Sequence, residues 1–225
     1  MVTGGSEAVS TEENVVRVDG GRPLSAASVA AVVAACDRAE DGGPAVVRLI
    51  VSGVPAQPWP ADLDVALVNR WERALRRLER LPAATVAVAI GDCGGPALDA
   101  LLATDYRVAT TDARLVLPAA GGAAWPGMAL YRLAQQAGVA GVRRAVLFGE
   151  PIDARRALQL RLVDELTDDL DAAVSETGPG SDAGAELAIR RRLLLDATSM
   201  SFENALGVHL AACDRVLRRG TEVAA

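Results

Sequence analysis

The stretch Leu81–Pro118, LPAATVAVAIGDCGGPALDALLATDYRVATTDARLVLP, contains the pattern that decides the fold. Its apolar run Thr85–Ile90 predicts a buried strand, and the glycine pair before Pro96 predicts a turn into a helix with proline at its first position. Two further short strands are predicted at Tyr106–Ala109 and Arg114–Leu117. Strand, helix and strand in this order predict a β-α-β unit whose strands run parallel.

The same alternation extends toward the N-terminus. Val15–Val18 and Ala45–Val51 have the composition of strands. Between them lies a helix pattern with Ser25 at the N-cap, and Leu63–Arg80 places its apolar residues on one helical face. The order β-α-β-α-β-α-β predicts an α/β fold with a mainly parallel sheet covered on both faces.

From Pro126 onward the pattern is mostly helical, and it divides the chain into three predicted parts. Residues 1–14 form a flexible N-terminal tail, residues 15–166 the core domain, and residues 167–225 a helical C-terminal region with a flexible loop near 175–184. The last helix, Phe202–Arg219, is predicted to bury an apolar face made by Leu206, Leu210, Cys213 and Leu217.

The composition excludes several classes of function. The 225 residues are 51% hydrophobic and 23% charged, as expected for a folded globular chain. All 23 basic residues are arginines interleaved with acids, which excludes a lysine Schiff base and argues against nucleic-acid binding. A single histidine and three widely spaced cysteines predict no metal site and a reducing, cytoplasmic location. No apolar run is long enough to span a membrane, and Met1–Asn14 lacks the pattern of a signal peptide.

The loops that follow the second and third predicted strands are the candidate site, because ligands collect at the carboxyl ends of parallel strands. These loops are Ser52–Asp62 and Gly91–Pro96. The pair Gly94 and Gly95 would let a ligand approach the backbone, where amides at a helix start stabilise developing negative charge. The alternative is a tight turn with no ligand. Neither glycine-rich phosphate-binding motif is present.

Three stretches carry a resemblance to a known family: Leu81–Pro118, then WPGMALYRL at Trp125–Leu133, then AVLFGEPIDARRALQLRLVDEL at Ala145–Leu166. In order and spacing they resemble the enoyl-CoA hydratase/isomerase (crotonase) family, over a region that begins near Val15. The resemblance implies a crotonase-type ββα spiral with a helical C-terminal trimerisation region. It also implies a CoA-thioester substrate and no cofactor other than the coenzyme A that the substrate carries.

The resemblance also suggests which residues form the site. The first backbone donor of the family's oxyanion hole falls on Ala61, and the second falls on Pro96, which has no N–H to donate. Either Gly95 takes that role or the hole has one donor. The first of the hydratases' two catalytic glutamates falls on Asp99, and the second falls on Ala119. One carboxylate therefore remains.

Other residues are expected to line the substrate site. Trp59 and Asp62 belong to the first loop, and Gly94 and Pro96 belong to the second. Each has a structural alternative: Trp59 could fill the core beneath a proline-rich loop, and Asp62 could simply end that loop. Asp99 itself could be an acid in the first turn of a helix, where the helix dipole favours a negative charge.

The Gly-Asp-Cys-Gly-Gly-Pro loop, the missing second glutamate and the lysine-free composition resemble more closely the small crotonase homologues of 3,5-dihydroxyphenylglycine biosynthesis, an antibiotic pathway. This resemblance implies a helper of dehydration and aromatisation that assists a type III polyketide synthase in forming (3,5-dihydroxyphenyl)acetyl-CoA. One alternative is a catalytically silent partner of the synthase or of an active crotonase paralogue. A second is an ordinary enoyl-CoA hydratase, against which the single carboxylate argues. A homotrimer or hexamer is expected in each case.

Overall fold

The computed structural model describes residues 9–12, 15–56, 63–120, 123–170, 173 and 184–223. The described strands are β1 Val9–Glu12, β2 Val15–Asp19, β3 Val46–Gly53, β4 Ala84–Gly94, β5 Tyr106–Ala109, β6 Arg114–Val116, β7 Ala119–Ala120, β8 Ala123–Ala124, β9 Ile152–Asp153 and β10 Glu165–Leu166. The described helices are α1 Ala26–Glu40, α2 Val65–Leu78, α3 Pro96–Leu102, α4 Met128–Phe148, α5 Ala154–Gln159, α6 Gly184–Asp196 and α7 Phe202–Val223.

The main sheet has the strand order β1-β2-β3-β4-β5-β10. All neighbours in this order run parallel except β1 and β2, which are antiparallel. The apolar central strands are covered by the helices, and α3 packs against β2, β3 and β4. The predicted α/β fold with a mainly parallel sheet is therefore present in the structure.

Strand β4 has two pairing partners on the same edge, because it changes direction at Gly91. Its first half, Val86–Ala89, pairs with β5, and Asp92–Gly94 pairs with β6. Gly91 lies between the two halves with φ +59°, a conformation that favours glycine, and its amide donates to Thr110 Oγ1 at 3.1 Å. The second half of β4 ends at Gly94 and leads through Gly95 into α3.

The helix boundaries follow from local side-chain chemistry. Ser25 caps α1 by accepting a hydrogen bond from the Ser28 amide at 3.1 Å, and Asp64 caps α2 in the same way at the Leu67 amide. Gly138 interrupts α4 with φ +72° and ψ +151°, so α4 consists of two helical segments that meet at a kink.

The structure differs from the sequence-based prediction at three elements. Val9–Glu12 forms strand β1 inside the stretch predicted as a flexible tail, because β2 offers it an antiparallel edge. The sequence pattern at Leu162–Leu166 also predicts a short strand, but in the structure the strand is limited to Glu165–Leu166, since this is the part that pairs with β5. Helix α6 was not predicted from the sequence. Most of the predicted loop near 175–184 lies outside the described residues.

The apolar face predicted for the last helix is present but is not buried within this chain. Leu206, Leu210, Cys213 and Leu217 are exposed on α7. The end of α4 likewise exposes Leu147 and Phe148. Apolar side chains exposed together are typical of an interaction surface. Among the described helices, none combines the length and the apolar character needed to cross a bilayer.

Helix α6 is held to the core by one buried guanidinium. Arg191 donates to Asp105 Oδ1 at 2.6 Å and to the carbonyl oxygens of Leu81 and Ala83 at 2.6 and 2.9 Å. The planar fork of arginine allows these bonds in several directions at once. This contact joins the C-terminal helical region to the start of β4.

Replacing Arg191 by methionine is expected to destabilise the protein by about 3 kcal/mol or more, because it leaves Asp105 and two carbonyl groups without their partner. The matched control is Arg192→Met. The Arg192 side chain is 79% exposed, against 8% for Arg191, and its ion pair with Asp196 lies at 3.4 Å. The control should cost less than about 1 kcal/mol. Urea unfolding of both variants measures the difference, and equal losses would contradict the role given to Arg191.

Candidate active site

The carboxyl ends of β2, β3 and β4 approach one another so closely that only glycine fits. A Cβ atom on Gly20 would lie 2.2 Å from the carbonyl oxygen of Gly94 and 2.5 Å from that of Gly53. A Cβ atom on Gly94 would lie 2.7 Å from the carbonyl oxygen of Val116. Contacts this short exclude a side chain at these positions. The backbone is therefore the main lining of this end of the sheet.

The turn after β4 has the geometry that its sequence indicates. Gly95 has φ +53° and ψ −130°, which an L-residue with a side chain rarely adopts, and it precedes Pro96 at the first position of α3. Both residues are buried. Because Pro96 has no N–H, the donor that the family resemblance expects at this position is absent, and Gly95 is its predicted replacement.

The loop after β3 begins directly against this turn. Val54 Cγ1 and Pro55 Cδ lie 3.2 and 3.5 Å from the position that a Cβ atom on Gly94 would occupy. The two loops chosen from the sequence are therefore neighbours in the structure. Trp59, Ala61 and Asp62 lie further along the first loop, outside the described residues, so their roles stay predictions.

Asp99 lies in the first turn of α3 with a partly buried side chain. Its Oδ2 accepts a hydrogen bond from the indole Nε1 of Trp71 at 3.3 Å. Trp71 comes from α2 and is 1% exposed, so it forms a rigid wall beside the carboxyl. The alternative of a solvated acid at a helix start does not fit this environment, because one carboxyl oxygen is turned toward a buried ring.

The surroundings of Asp99 favour its protonated form. Burial and, next, the negative charge of Glu72 raise the pKa of Asp99 to about 7, whereas Arg132 and the Trp71 hydrogen bond act in the opposite direction. A carboxyl with a pKa near neutrality can both accept and donate a proton at physiological pH. This is the property that a single acid–base residue needs.

A buried ion network on α2 and α4 lies behind this carboxyl. Arg132 of α4 contacts Glu72 at 2.8 Å through Nη1 and Glu79 at 2.8 Å through Nε. Burial raises the pKa of Glu72, and Arg132 opposes that rise. The sequence analysis did not find this network, because Arg132 is 53 residues or more from its partners and no local motif connects them.

The two cysteines of the described core are unsuited to nucleophilic chemistry. Burial raises the pKa of Cys36 to about 11 and that of Cys93 to about 12. Cys93 Sγ donates to the carbonyl oxygen of Val51 at 3.4 Å. Among the described residues, no group of three or more His, Cys, Asp and Glu side chains is arranged to hold a metal ion.

Comparisons with known proteins place this geometry in context. The chain is 55% identical over 213 residues to an enoyl-CoA-hydratase of Amycolatopsis orientalis, covering 92% of this chain and 97% of the relative. The chain belongs to the enoyl-CoA hydratase (crotonase) family. No family model matches the chain. The predicted family and an enzyme of the lyase type are thereby confirmed.

Solved structures of enoyl-CoA hydratases show the same fold at low sequence identity. One from Mycobacterium smegmatis superposes with a TM-score of 0.72 at 19% identity, over 94% of this chain and 91% of the other. A Thermobifida fusca structure, determined in complex with acetoacetyl-CoA, gives a TM-score of 0.71 at 18% identity over 94% of both chains. The predicted crotonase fold with a helical C-terminal region is confirmed.

Two departures from the crotonase pattern concern the chemistry of the site. Pro96 occupies the position where the family resemblance expects a donating glycine. Ala119, which the resemblance places at the second glutamate, is an exposed residue at the start of the small β7–β8 hairpin. The resemblance thus leaves Asp99 as the one candidate catalytic carboxyl.

The raised pKa of Asp99 predicts a pH dependence of stability. The unfolded carboxyl ionises near pH 4, whereas the folded carboxyl stays protonated to about pH 7, so the wild-type protein loses stability as pH rises through this window. The loss is on the order of a few kcal/mol at about 1.4 kcal/mol per pH unit. Asp99→Asn removes it. In urea unfolding from pH 4 to 8, the free energy of unfolding of the variant should rise relative to that of the wild type as pH rises. A difference that stays constant with pH would contradict a folded carboxyl that remains protonated to about pH 7.

The buried thiols predict a simple reactivity pattern. In a Cys213→Ser variant, Cys36 and Cys93 remain and should not react with a thiol reagent while the protein is folded, because both are buried with raised pKa values. Both should react after unfolding in urea. A colorimetric thiol assay counts the reacting groups, and rapid reaction of either thiol in the folded protein would show that the core around β4 is open.

Proposed function

We propose that this crotonase family member is a dehydratase that acts on a CoA-linked polyketide. Asp99 carries the proposal: it is a partly buried carboxyl with a pKa of about 7, in the first turn of the helix that follows the glycine pair. The acetoacetyl-CoA bound by the Thermobifida fusca neighbour supports a CoA thioester as the class of substrate. Coenzyme A enters as part of the substrate, and no further cofactor is proposed.

In the proposed reaction, the amides of Ala61 and Gly95 polarise a thioester or ketone oxygen. Asp99 in its ionised form removes the proton next to that carbonyl group, and the electrons move onto the polarised oxygen. The enolate then expels a β-hydroxyl group, which leaves as water with the proton that Asp99 returns. The carboxylate is regenerated, so the step is balanced with one acid–base residue.

A single carboxyl is sufficient when the product is aromatic. Loss of water from a β-hydroxy-carbonyl ring is driven by aromatisation, whereas hydration of an isolated double bond needs two groups to hold and activate a water molecule. If Gly95 does not donate, loss of one oxyanion donor costs about 2.7–4 kcal/mol in a comparable site. The proposed elimination tolerates that loss better than hydration does.

The proposed pathway is formation of (3,5-dihydroxyphenyl)acetyl-CoA for 3,5-dihydroxyphenylglycine, in which the protein assists a type III polyketide synthase. The closer resemblance carried by Gly91–Pro96 supports it, as does the loss of the second carboxylate at Ala119. The substrate would then be a poly-β-keto thioester after cyclisation. Trp59 and Asp62 are proposed to line the space for its ring.

Reconstitution with the synthase tests this proposal. Adding the wild-type protein should raise the yield of (3,5-dihydroxyphenyl)acetyl-CoA, and Asp99→Asn should remove the gain because the acid–base group is lost. Liquid chromatography with mass spectrometry measures the product. Asp41→Asn, an exposed acid beyond the end of α1, is the matched control and should retain the gain.

A second candidate function is a catalytically silent partner that binds the synthase or an active paralogue. The apolar residues exposed on α4 and α7 favour it, since Phe148 and Leu217 are 74% and 70% exposed. The same reconstitution separates the two functions. If Asp99→Asn stimulates the synthase as well as the wild type does, while Leu217→Asp does not, the protein acts by assembly and the dehydratase proposal is wrong.

A further inference from the structure

The side chains behind Asp99 form an arrangement that the family resemblance does not account for. Trp71 contacts the carboxyl directly, and the Glu72–Arg132–Glu79 network lies next to it between α2 and α4. None of these residues falls on a position that the resemblance assigns to the reaction. Trp71 and Glu72 are consecutive residues of α2, and Arg132 belongs to α4, which packs against the helix that carries Asp99.

We propose that Trp71 and Glu72 are positioning residues for Asp99: Trp71 orients the carboxyl, and Glu72, fixed by Arg132, keeps the carboxyl able to donate a proton as well as to accept one. This inference rests on the proposed role of Asp99 as the acid–base group. It assigns to α2, which the resemblance leaves without a part in catalysis, the control of that group.

The indole of Trp71 fixes which oxygen of Asp99 carries the proton. An indole N–H is a donor only, so the oxygen it contacts, Oδ2, has to act as an acceptor. The proton of the neutral carboxyl is therefore directed to Oδ1. Because Trp71 is fully buried, it holds this arrangement without the rotational freedom of an exposed side chain.

Glu72 is the carboxylate of this network that acts on Asp99. Glu79 is shared between Arg132 and Arg76, each at 2.8 Å, whereas Glu72 pairs with Arg132, and the Glu72 and Arg132 side chains are only 17% and 6% exposed. Solvent therefore screens the network poorly. A negative charge next to a partly buried carboxyl disfavours its ionisation, which agrees with the direction in which Glu72 moves the pKa of Asp99.

Among the described elements packed against α3, α4 opposes this effect through Arg132, whereas the strands of the sheet do not. β2 and β4 present the carboxylates of Asp19 and Asp92, and these are paired with Arg22 at 3.0 Å and with Arg114. Arg17 on β2 and Arg48 on β3 have interactions of their own. Among the described residues, Glu72 from α2 and Arg132 from α4 are the charged groups that act on Asp99.

Stability alone gives a weak reason for such a network. A buried ion network generally contributes little more than apolar residues of the same size would, because the charges lose their hydration. Its effect on a neighbouring titratable group is larger and specific, since a charge within several ångströms in a poorly screened site moves a pKa by about one unit or more. We therefore assign the network to the control of Asp99.

The Trp71 indole proton provides a direct measurement in the absence of substrate and synthase. The chain has three tryptophans, so its proton–nitrogen NMR spectrum has three indole resonances, and Trp71→Phe identifies the one that belongs to Trp71. If that variant does not fold, Trp59→Phe and Trp125→Phe identify it by elimination. The Trp71 resonance should titrate with a midpoint near pH 7 in the full wild-type chain.

Three variants test the two roles. Asp99→Asn should abolish the titration of the Trp71 resonance, because no proton is then exchanged at its partner. Glu72→Gln should move the midpoint down by about one pH unit, since the neighbouring charge is removed. Glu150→Gln is the matched control: this glutamate is also paired with an arginine, Arg144, but on the surface, and the midpoint should not move.

The outcomes separate this inference from the proposed function. A Trp71 resonance that does not titrate near pH 7, or a midpoint that Glu72→Gln leaves unchanged, would overturn the positioning roles. A midpoint that moves as expected supports them, even if the synthase yield shows no gain. In that case Trp71 and Glu72 control the protonation of Asp99 as inferred, and the proposed substrate is wrong.

Discussion

The close approach of backbone at Gly20, Gly53 and Gly94 is the constraint on which the site depends. Three parallel strands end here with so little space between them that no side chain is accommodated. The starts of the loops that follow β3 and β4 are therefore brought together, and α3 packs back on β2, β3 and β4. Asp99 owes its position to these backbone contacts, since it lies four residues beyond Gly95 on a short helix.

The chemistry of the site follows from having one carboxyl in a partly desolvated environment. Two paired carboxylates can share the work of holding and activating water, whereas a single one has to change its protonation state during the reaction. Asp99 is suited to that, because burial and Glu72 bring its pKa to about 7 while Arg132 and Trp71 limit the rise. The departures at Pro96 and Ala119 are the reason for proposing an elimination that needs one acid–base residue.

Much of the fold was predictable from the sequence, because apolar runs and glycine-proline turns act locally. β3, β4 and the helix starting at Pro96 were predicted within a few residues, and Asp99 was identified through the resemblance to the crotonase family. The Arg132 network and the docking of α6 through Arg191 were not predictable, since each joins residues far apart in the chain. The exposed apolar face of α7 shows a further limit: periodicity identifies the face, but not whether the same chain covers it.

The buried cations of this protein are all guanidinium groups, and their geometry explains why lysine could not replace them. Arg107, for example, donates to the carbonyl oxygens of Leu102, Thr104 and Leu162 and to the side chain of Gln136. A single ammonium nitrogen could not reach such widely separated acceptors. Arginine also replaces lysine over the whole surface, so the sequence contains no primary amine side chain. Activated acyl groups transfer readily to amines, so a protein built in this way offers none of its side-chain nitrogens for accidental acylation by a thioester that it handles.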